Sequence, residues 1–187
     1  MNRALLCTLA AALVAASDAS LGSGRELARA AEAQVGVTRG YDPAYVRLAY
    51  PGGDVPADRG VCSDVVVRAF RSIGVDLQVE LHQDMRRDFA AYPRSWGLRQ
   101  PDPNIDHRRV QNLMTYFQRR GKALAAAAPF EPGDVVAFRL PNRLYHIGIV
   151  GAGRAPGSGY LVVHNIGQGT RSEDILQAFR IIGHYRW

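Results

Sequence analysis

The chain has 187 residues, of which 47% are hydrophobic and 21% are charged, a composition that excludes an intrinsically disordered chain and suits one domain with a buried core. The net charge of +6 comes almost entirely from arginine, because Lys122 is the only lysine. Such a charge suits an anionic partner such as cell wall or lipid headgroups, and a general bias towards arginine is the alternative explanation. No lysine-rich tract or basic patch interleaved with aromatic residues is present, so we expect no nucleic-acid partner.

The first residues have the pattern of a secretory signal peptide. Arg3 gives a positive start, Ala4 to Ala16 form an apolar stretch, and small residues follow at two candidate cleavage positions. The apolar stretch is too short to span a bilayer comfortably, and a buried N-terminal helix is the alternative. We predict a signal peptide over residues 1–19 and one domain over residues 20–187. The mature protein is then expected to be a periplasmic or secreted monomer without a stable membrane span.

The pattern of apolar residues changes along the chain from helical spacing to alternation. Four helices are predicted, over Gly24–Gly36, Cys62–Ile73, Gln78–Phe89 and His107–Arg120, with Asp106 as the N-cap of the last. Four short strands are predicted after them, over Asp134–Leu140, His146–Val150, Tyr160–His164 and Phe179–Tyr185. Helices first and antiparallel strands second predict an α+β fold, with N-terminal helices packed on a small antiparallel sheet or half-barrel.

Cys62 is the candidate nucleophile. Cleavage of the signal peptide removes Cys7 and leaves Cys62 as the only cysteine, so it has no intramolecular disulfide partner. It begins a predicted helix, where unpaired N–H groups and the helix dipole stabilise a thiolate. The alternative is a small hydrophobe, since Cys62 is in phase with Val65 and Phe70 on the apolar face.

A nucleophilic cysteine needs a base, and the strand region supplies one. Alternation places His146 and Gly148 on one face of a strand, and the glycine leaves space beside the histidine. If the next strand pairs with it, His164 lies near His146 and holds it in the correct tautomer, with Asn165 as a second candidate for that role. For each histidine alone, the alternative is a satisfied polar residue at a sheet end.

A metal site is a further alternative. Cys62, His146, His164 and His184 are the residue types that bind zinc. The chain has no HxxxH, HExxH or CxxC spacing, which zinc sites commonly show, so we predict no metal and no cofactor.

The order of these motifs resembles the NlpC-type cell-wall cysteine peptidases, a papain-like superfamily. The matching stretches are Cys62-Ser63, Gly133-Asp134-Val135-Val136, His146-Ile147-Gly148-Ile149 and His164. The resemblance implies a papain-like fold in which Cys62 is the nucleophile, His146 the base and His164 the orienting residue. It also implies that Tyr50, which precedes a glycine pair, lies near the oxyanion or the substrate. The superfamily pattern has glycine two residues after the cysteine, where this chain has Asp64.

A more specific resemblance covers residues 25–187. The stretches GDVPADRGVCSDVV, PDPNIDHRRVQNL, HIGIV and VVHNIGQGT resemble a bacterial family of unknown function, DUF1287. This resemblance implies family membership and leaves the substrate open. The segment Gln78–Ala128 is longer than a minimal NlpC-type domain needs.

That segment contains a candidate substrate contact. Asp106, His107 and Arg108 are predicted to form a polar rim in which arginine binds a carboxylate of an anionic peptide stem. The alternative is a helix cap at Asp106 followed by solvated arginines. Tyr50 and Asn165 complete the predicted substrate-binding set.

Together these patterns predict an exported cysteine amidase that acts on the peptide part of the bacterial cell wall. Two other classes stay open. One is a papain-like acyltransferase or lipid-acyl hydrolase, which an exposed apolar groove near Cys62 would favour. The other is a domain that binds cell wall without catalysis, which an inert, buried Cys62 would favour.

Overall fold

The computed structural model describes residues 24–125, 127–157 and 159–187. The signal peptide predicted over residues 1–19 lies outside these ranges. The described helices are α1 (residues 24–32), α2 (Cys62–Ser72), α3 (Leu77–Arg87) and α4 (Val110–Arg119), with short 3-10 helices at Phe89–Ala91 and Asp106–Arg108. The described strands are β1 (Gly40–Tyr41), β2 (Arg59–Gly60), β3 (Val135–Arg139), β4 (Tyr145–Val150), β5 (Val162–Asn165), β6 (Thr170–Glu173) and β7 (Arg180–Tyr185).

Five of these strands form one antiparallel sheet in the order β6-β5-β4-β3-β7. Strands β1 and β2 form a separate parallel pair. The α+β fold predicted from the sequence, with helices packed on a small antiparallel sheet, is confirmed. The polar strand β6 was missed.

The two faces of the sheet are both buried. One face, with Ala137, Ile147 and Val163, packs against Val65, Phe70 and other apolar residues of the helices. The other face packs Val136, Phe138, Val150 and Val162 against Ile175 and Leu176 of the connection before β7. By strand alternation this second face also carries His146, Gly148 and His164.

Strands β4 and β5 are paired at Ile149–Val163 and Val150–Val162 and separate towards His146 and Asn165. The start of α2 lies at this opening, because the Asn165 side chain donates a hydrogen bond to the carbonyl oxygen of Gly60 at 3.0 Å. The fold therefore places Cys62 beside the two strand ends that carry the histidines.

Gly148 allows the two strands to pack closely. A Cβ atom at this position would lie 2.6 Å from Val162 Cγ1 and 3.1 Å from His164 Cβ. The space beside His146 that the sequence predicted is thus filled by the neighbouring strand, including His164.

The helix that begins near Asp106 differs from the prediction. Asp106 starts a 3-10 turn, and the α-helix begins four residues later at Val110. The Asp106 carboxylate accepts a hydrogen bond from the backbone N–H of Asp102 at 2.6 Å. It therefore stabilises the preceding turn and does not cap α4, and the N-cap prediction was wrong.

Candidate active site

Cys62 is the first residue of α2, and its side chain is buried, with the residue 4% exposed. Burial raises the pKa of the thiol to about 11, while the backbone N–H groups of Ile147, Ser63 and Cys62 itself lower it and the charge of Asp64 raises it. The helix N-terminus does supply the donors that the sequence predicted. Burial outweighs them, so Cys62 is a thiol at neutral pH.

The donor from Ile147 is available because β4 and β5 have separated at this point. Val150 donates its N–H to Asp134 on the β3 side, so by alternation the N–H of Ile147 points away from β3. It interacts with the thiol of Cys62 instead of with a strand. Cys62 therefore contacts the residue next to His146.

His146 and His164 are in direct contact. His146 Nε2 lies 2.9 Å from His164 Nδ1, and the two rings are nearly perpendicular, at 83°. Both side chains are buried. Burial, with a contribution from His164, lowers the pKa of His146 to about 3, and burial also lowers the pKa of His164. His146 is therefore a neutral imidazole near pH 7, the form that can accept a proton.

Cys62 and His146 line two adjoining cavities. The cavity at Cys62 has a volume of about 400 Å³, and the cavity at His146 about 440 Å³. Tyr41, Leu144 and Tyr145 line both. We call the combined space the Cys62 groove.

Tyr41 and Tyr145 are the tyrosines that line both cavities of the Cys62 groove. The pKa of Tyr41 is raised to about 12, first by burial and then by the negative charges of Cys62 and Asp64, and Tyr41 lines the same cavity as Cys62. Tyr50, predicted for this position, instead packs its ring against His82 with centroids 5.2 Å apart, and it does not line the groove. Tyr41 is the last residue of β1, 21 residues before Cys62, and no sequence motif marks it.

Asp106, His107 and Arg108 do not form an exposed rim, because all three are buried. Arg108 Nε and Nη2 bind the two carboxylate oxygens of Asp64 at 2.9 and 3.0 Å. The Asp64 carboxylate also accepts a hydrogen bond from the N–H of Val61 at 2.7 Å. Asp64 therefore holds the start of α2 through Val61 and ties it to Arg108.

Arg109, the last residue of the charged run that begins at Asp106, lines the cavity at Cys62 together with Arg108. Its guanidinium lies over the ring of Trp96, 4.2 Å from the centroid, and Nη1 binds Asp106 at 3.1 Å. Trp96 and Arg109 both line the cavity at Cys62. The segment between α3 and α4 thus contributes one wall of the groove.

Asn165 joins three segments of backbone and, within the described residues, forms no side-chain hydrogen bond with either histidine. Its side-chain amide donates to the carbonyl oxygens of Gly40 and Gly60 at 3.1 and 3.0 Å, and its oxygen accepts from the N–H of Gly167 at 3.1 Å. Gly40 precedes Tyr41, and Gly60 leads into Cys62. Asn165 therefore fixes the positions of the tyrosine and the thiol relative to β5.

Comparison with known proteins places the chain in a family. Residues 28–187 match the family described as Domain of unknown function (DUF1287). The chain belongs to the DUF1287 family. It is also 53% identical over 164 residues to the Escherichia coli (strain K12) protein named Uncharacterized protein YijF, covering 86% of this chain and 80% of that protein. The family membership predicted from the sequence is confirmed.

Two solved structures from Trichomonas vaginalis are similar to this DUF1287 protein. The chain is 12% identical to NlpC1, with a TM-score of 0.47, covering 88% of this chain and 44% of that one. It is 13% identical to NlpC2, with a TM-score of 0.43, covering 87% of this chain and 46% of that one. The DUF1287 chain thus spans less than half the length of either.

Within residues 24–125, 127–157 and 159–187, no group of three or more His, Cys, Asp or Glu side chains is arranged to hold a metal ion. His184, a member of the alternative zinc set, instead binds the Asp134 carboxylate at 2.7 Å. In the same ranges, no helix combines the length and apolar character needed to cross a membrane.

The buried histidines predict a loss of stability in acid. The folded-state pKa is about 4 for His107 and about 3 for His146, both lowered by burial, against about 6.5 in an unfolded chain. Below pH 6.5 the unfolded state therefore binds more protons, and each histidine costs about 2 kcal/mol between pH 7 and pH 5. Burial raises the pKa of Asp106 to about 6, and this shift offsets about 1 kcal/mol of the loss.

We expect the free energy of unfolding, measured by urea denaturation, to fall by about 2–3 kcal/mol from pH 7 to pH 5. In His107→Gln the fall should be smaller by about 2 kcal/mol. Equal stability of the wild-type protein at the two pH values would contradict the neutral, buried state of these histidines.

Proposed function

We propose that this DUF1287 protein is an exported cysteine amidase that hydrolyses amide bonds in the stem peptides of the bacterial cell wall. The observation that carries the proposal is the Cys62 groove, whose two adjoining cavities are lined, one by a thiol at a helix N-terminus and the other by a neutral imidazole backed by a second histidine. The resemblance of the Cys62-Ser63, His146-Ile147-Gly148-Ile149 and His164 stretches to NlpC-type peptidases supports the substrate class.

The first half of the proposed reaction forms an acyl-enzyme. The Nε2 atom of His146 is occupied by His164, so Nδ1 is the atom that takes the proton from the Cys62 thiol. Because the thiol pKa lies far above that of the imidazole, the proton moves as sulfur attacks the carbonyl carbon and not before. The backbone N–H of Cys62 and the hydroxyl of Tyr41 are the donors proposed for the oxyanion.

The second half releases the products. The imidazolium formed on His146 gives its proton to the leaving amine as the carbon–nitrogen bond breaks. Water then attacks the thioester, with His146 again accepting a proton and returning it to the sulfur of Cys62, which frees the carboxylic acid. His164 stays bonded to Nε2 throughout and stabilises the imidazolium.

The walls of the groove support a peptide that carries both apolar and carboxylate groups. Tyr41, Trp96 and Leu144 are exposed, at 44%, 39% and 61%, and provide an apolar surface. The guanidinium group of Arg109, which lines the cavity at Cys62, lies over Trp96, 4.2 Å from the ring centroid. Behind the wall, Arg139 lies over the ring of Tyr145 at 4.1 Å. Stacked arginines of this kind retain donors for carboxylates.

The same exposed apolar surface favours a second candidate, an acyltransferase or lipid-acyl hydrolase. In that case an acyl chain would lie against Trp96 and Leu144, and Cys62 would attack an ester or thioester carbonyl. The raised pKa and the burial of Cys62 agree with the third class as well, a domain that binds cell wall without turnover.

The deciding experiment is mass spectrometry of purified sacculi and, in parallel, phospholipid vesicles after incubation with the protein or with Cys62→Ala. New stem-peptide fragments with the wild-type protein alone support the amidase and name the bond. Lysolipid or fatty acid with the wild-type protein alone moves the function to lipids. Absence of products from both substrates, with wild-type and variant pelleting equally with sacculi, would replace the amidase by a binding function.

A further inference from the structure

Strand β6 brings a carboxylate to the outer side of the histidine pair. Glu173 Oε2 lies 3.0 Å from His164 Nε2, while His164 Nδ1 lies 2.9 Å from His146 Nε2. The register of β5 and β6 pairs His164 with Arg171 and Val162 with Glu173, so Glu173 reaches His164 diagonally on the same face. The three side chains form a row that runs from the sheet edge through His164 to His146.

The His164 nitrogen that faces Glu173 needs an acceptor. Nε2 of His164 is buried and has no aligned hydrogen-bond partner among the described residues, and Glu173 Oε2 lies off the line of its N–H. The Glu173 side chain is 40% exposed, so it can rotate to bring an oxygen into line without repacking the core. A buried N–H left without an acceptor costs free energy, which favours that rotation.

The tautomers of the two histidines are linked through their shared hydrogen bond. For His146 to act as a base through Nδ1, its proton must be on Nε2, which then donates to His164 Nδ1. His164 must in turn carry its proton on Nε2, where Glu173 is the acceptor. In the reverse arrangement His164 donates to His146, and His146 Nδ1 carries a proton and cannot accept one.

We propose that Glu173 is a positioning residue that selects the productive tautomers of His164 and His146, so that Nδ1 of His146 is free to take the proton of Cys62. Glu173 touches neither the thiol nor the substrate; it acts through two successive hydrogen bonds. Its negative charge also stabilises the imidazolium that forms on His146 during turnover. This inference rests on the proposed function for its kinetic consequence, whereas the tautomer assignment is a property of the folded protein.

The other charged group on β6 is Arg171, which lies directly opposite His164 and is exposed. From β4 the titratable group facing His164 is His146. The protonation of His164 therefore depends on two charged groups of β6. Glu173 is the acceptor, and Arg171 is the competing cation.

The test is ¹⁵N NMR of the imidazole nitrogens in the wild-type protein, Glu173→Ala, Glu173→Gln and Ser172→Ala, at pH 7. Ser172 is the matched control, because it is on the same strand and points to the other face. We expect Nε2–H on both His146 and His164 in the wild type. Glu173→Ala should shift both towards Nδ1–H. Glu173→Gln, whose amide oxygen can accept, and Ser172→Ala should keep the wild-type pattern.

On the substrate identified from sacculi, Glu173→Ala should lower kcat by about 10–100-fold, the range typical of residues that orient a functional histidine, with KM within about twofold. A wild-type protein with Nδ1–H on His146, or an unchanged tautomer pattern in Glu173→Ala, would overturn the inference. Because the NMR measurement needs no substrate, failure of the proposed amidase activity would not be mistaken for failure of the Glu173 assignment.

Discussion

At pH 7, His146→Gln should lower the rate of stem-peptide hydrolysis by about 10³-fold, because glutamine cannot take the proton of Cys62. The size of the loss should depend on pH. In the wild type the thiol pKa is about 11 and the His146 pKa about 3, so neither group changes its protonation between about pH 5 and pH 9, and kcat/KM should be flat there. Without His146, the reaction depends on the fraction of Cys62 that is already ionised at a given pH. The rate of the variant should therefore rise about tenfold per pH unit up to about pH 10.

The matched control is His184→Gln, the same substitution at another buried histidine of the sheet, which binds Asp134. It should lower stability without changing the flat pH profile of kcat/KM. A His146→Gln protein that hydrolyses at the wild-type rate would remove His146 from the mechanism. A flat profile for that variant would mean that thiolate formation is not what limits it.

The elements around Cys62 and His146 were accessible from the sequence because their patterns are local. The apolar spacing of Val65, Phe70 and their neighbours marks α2 and places Cys62 at its first turn. Alternation in β4 assigns His146 and Gly148 to one face, and consecutive strands commonly pair, which brings His164 near. Those two rules together predict that the histidines lie close to one another, and the structure gives the 2.9 Å contact.

Residues whose position depends on distant contacts were not accessible in this way. Tyr41 lines the Cys62 groove in a segment that Asn165 holds through the carbonyl oxygen of Gly40, across 125 residues of sequence. Glu173 lies in the strand Thr170–Glu173, whose polar residues show no apolar alternation, so neither the strand nor its carboxylate was predicted.

Arg108 shows another reason why part of the site could not be predicted from the sequence. A run of histidine and arginines after an aspartate resembles a solvated surface, since charged residues are rarely buried. Arg108 is buried because Asp64, 44 residues earlier, supplies a full opposite charge with two-point geometry. Asp64 stands where the NlpC pattern has glycine, and it is the partner that allows Arg108 to be buried. The ion pair cannot be predicted from either residue alone.

That feature leads to the largest stability effect expected in this protein. Arg108→Met should lower the free energy of unfolding by about 3–5 kcal/mol, because it leaves the Asp64 carboxylate buried without its cation. The side chains of Arg108 and Asp64 are 2% and 4% exposed, so water cannot replace the lost partner. Urea denaturation at pH 7 measures the effect. The control Arg87→Met removes an ion pair whose arginine is 63% exposed and should cost less than about 1 kcal/mol.

The double variant Arg108→Met with Asp64→Asn separates the effect of the unpaired Asp64 charge on stability from the effect of the lost Arg108 contacts. Asparagine keeps an oxygen for the N–H of Val61 and carries no charge, so the double variant should be more stable than Arg108→Met alone. It should still lose activity, because Arg108 also binds the carbonyl oxygens of Asp42 and Ala44 at 2.9 and 2.8 Å. Those bonds hold the loop after Tyr41 against the start of α2. A double variant as unstable as Arg108→Met would mean that the unpaired charge does not cause the loss of stability. A fully active double variant would mean that the loop does not need Arg108 to hold Tyr41 at the Cys62 groove.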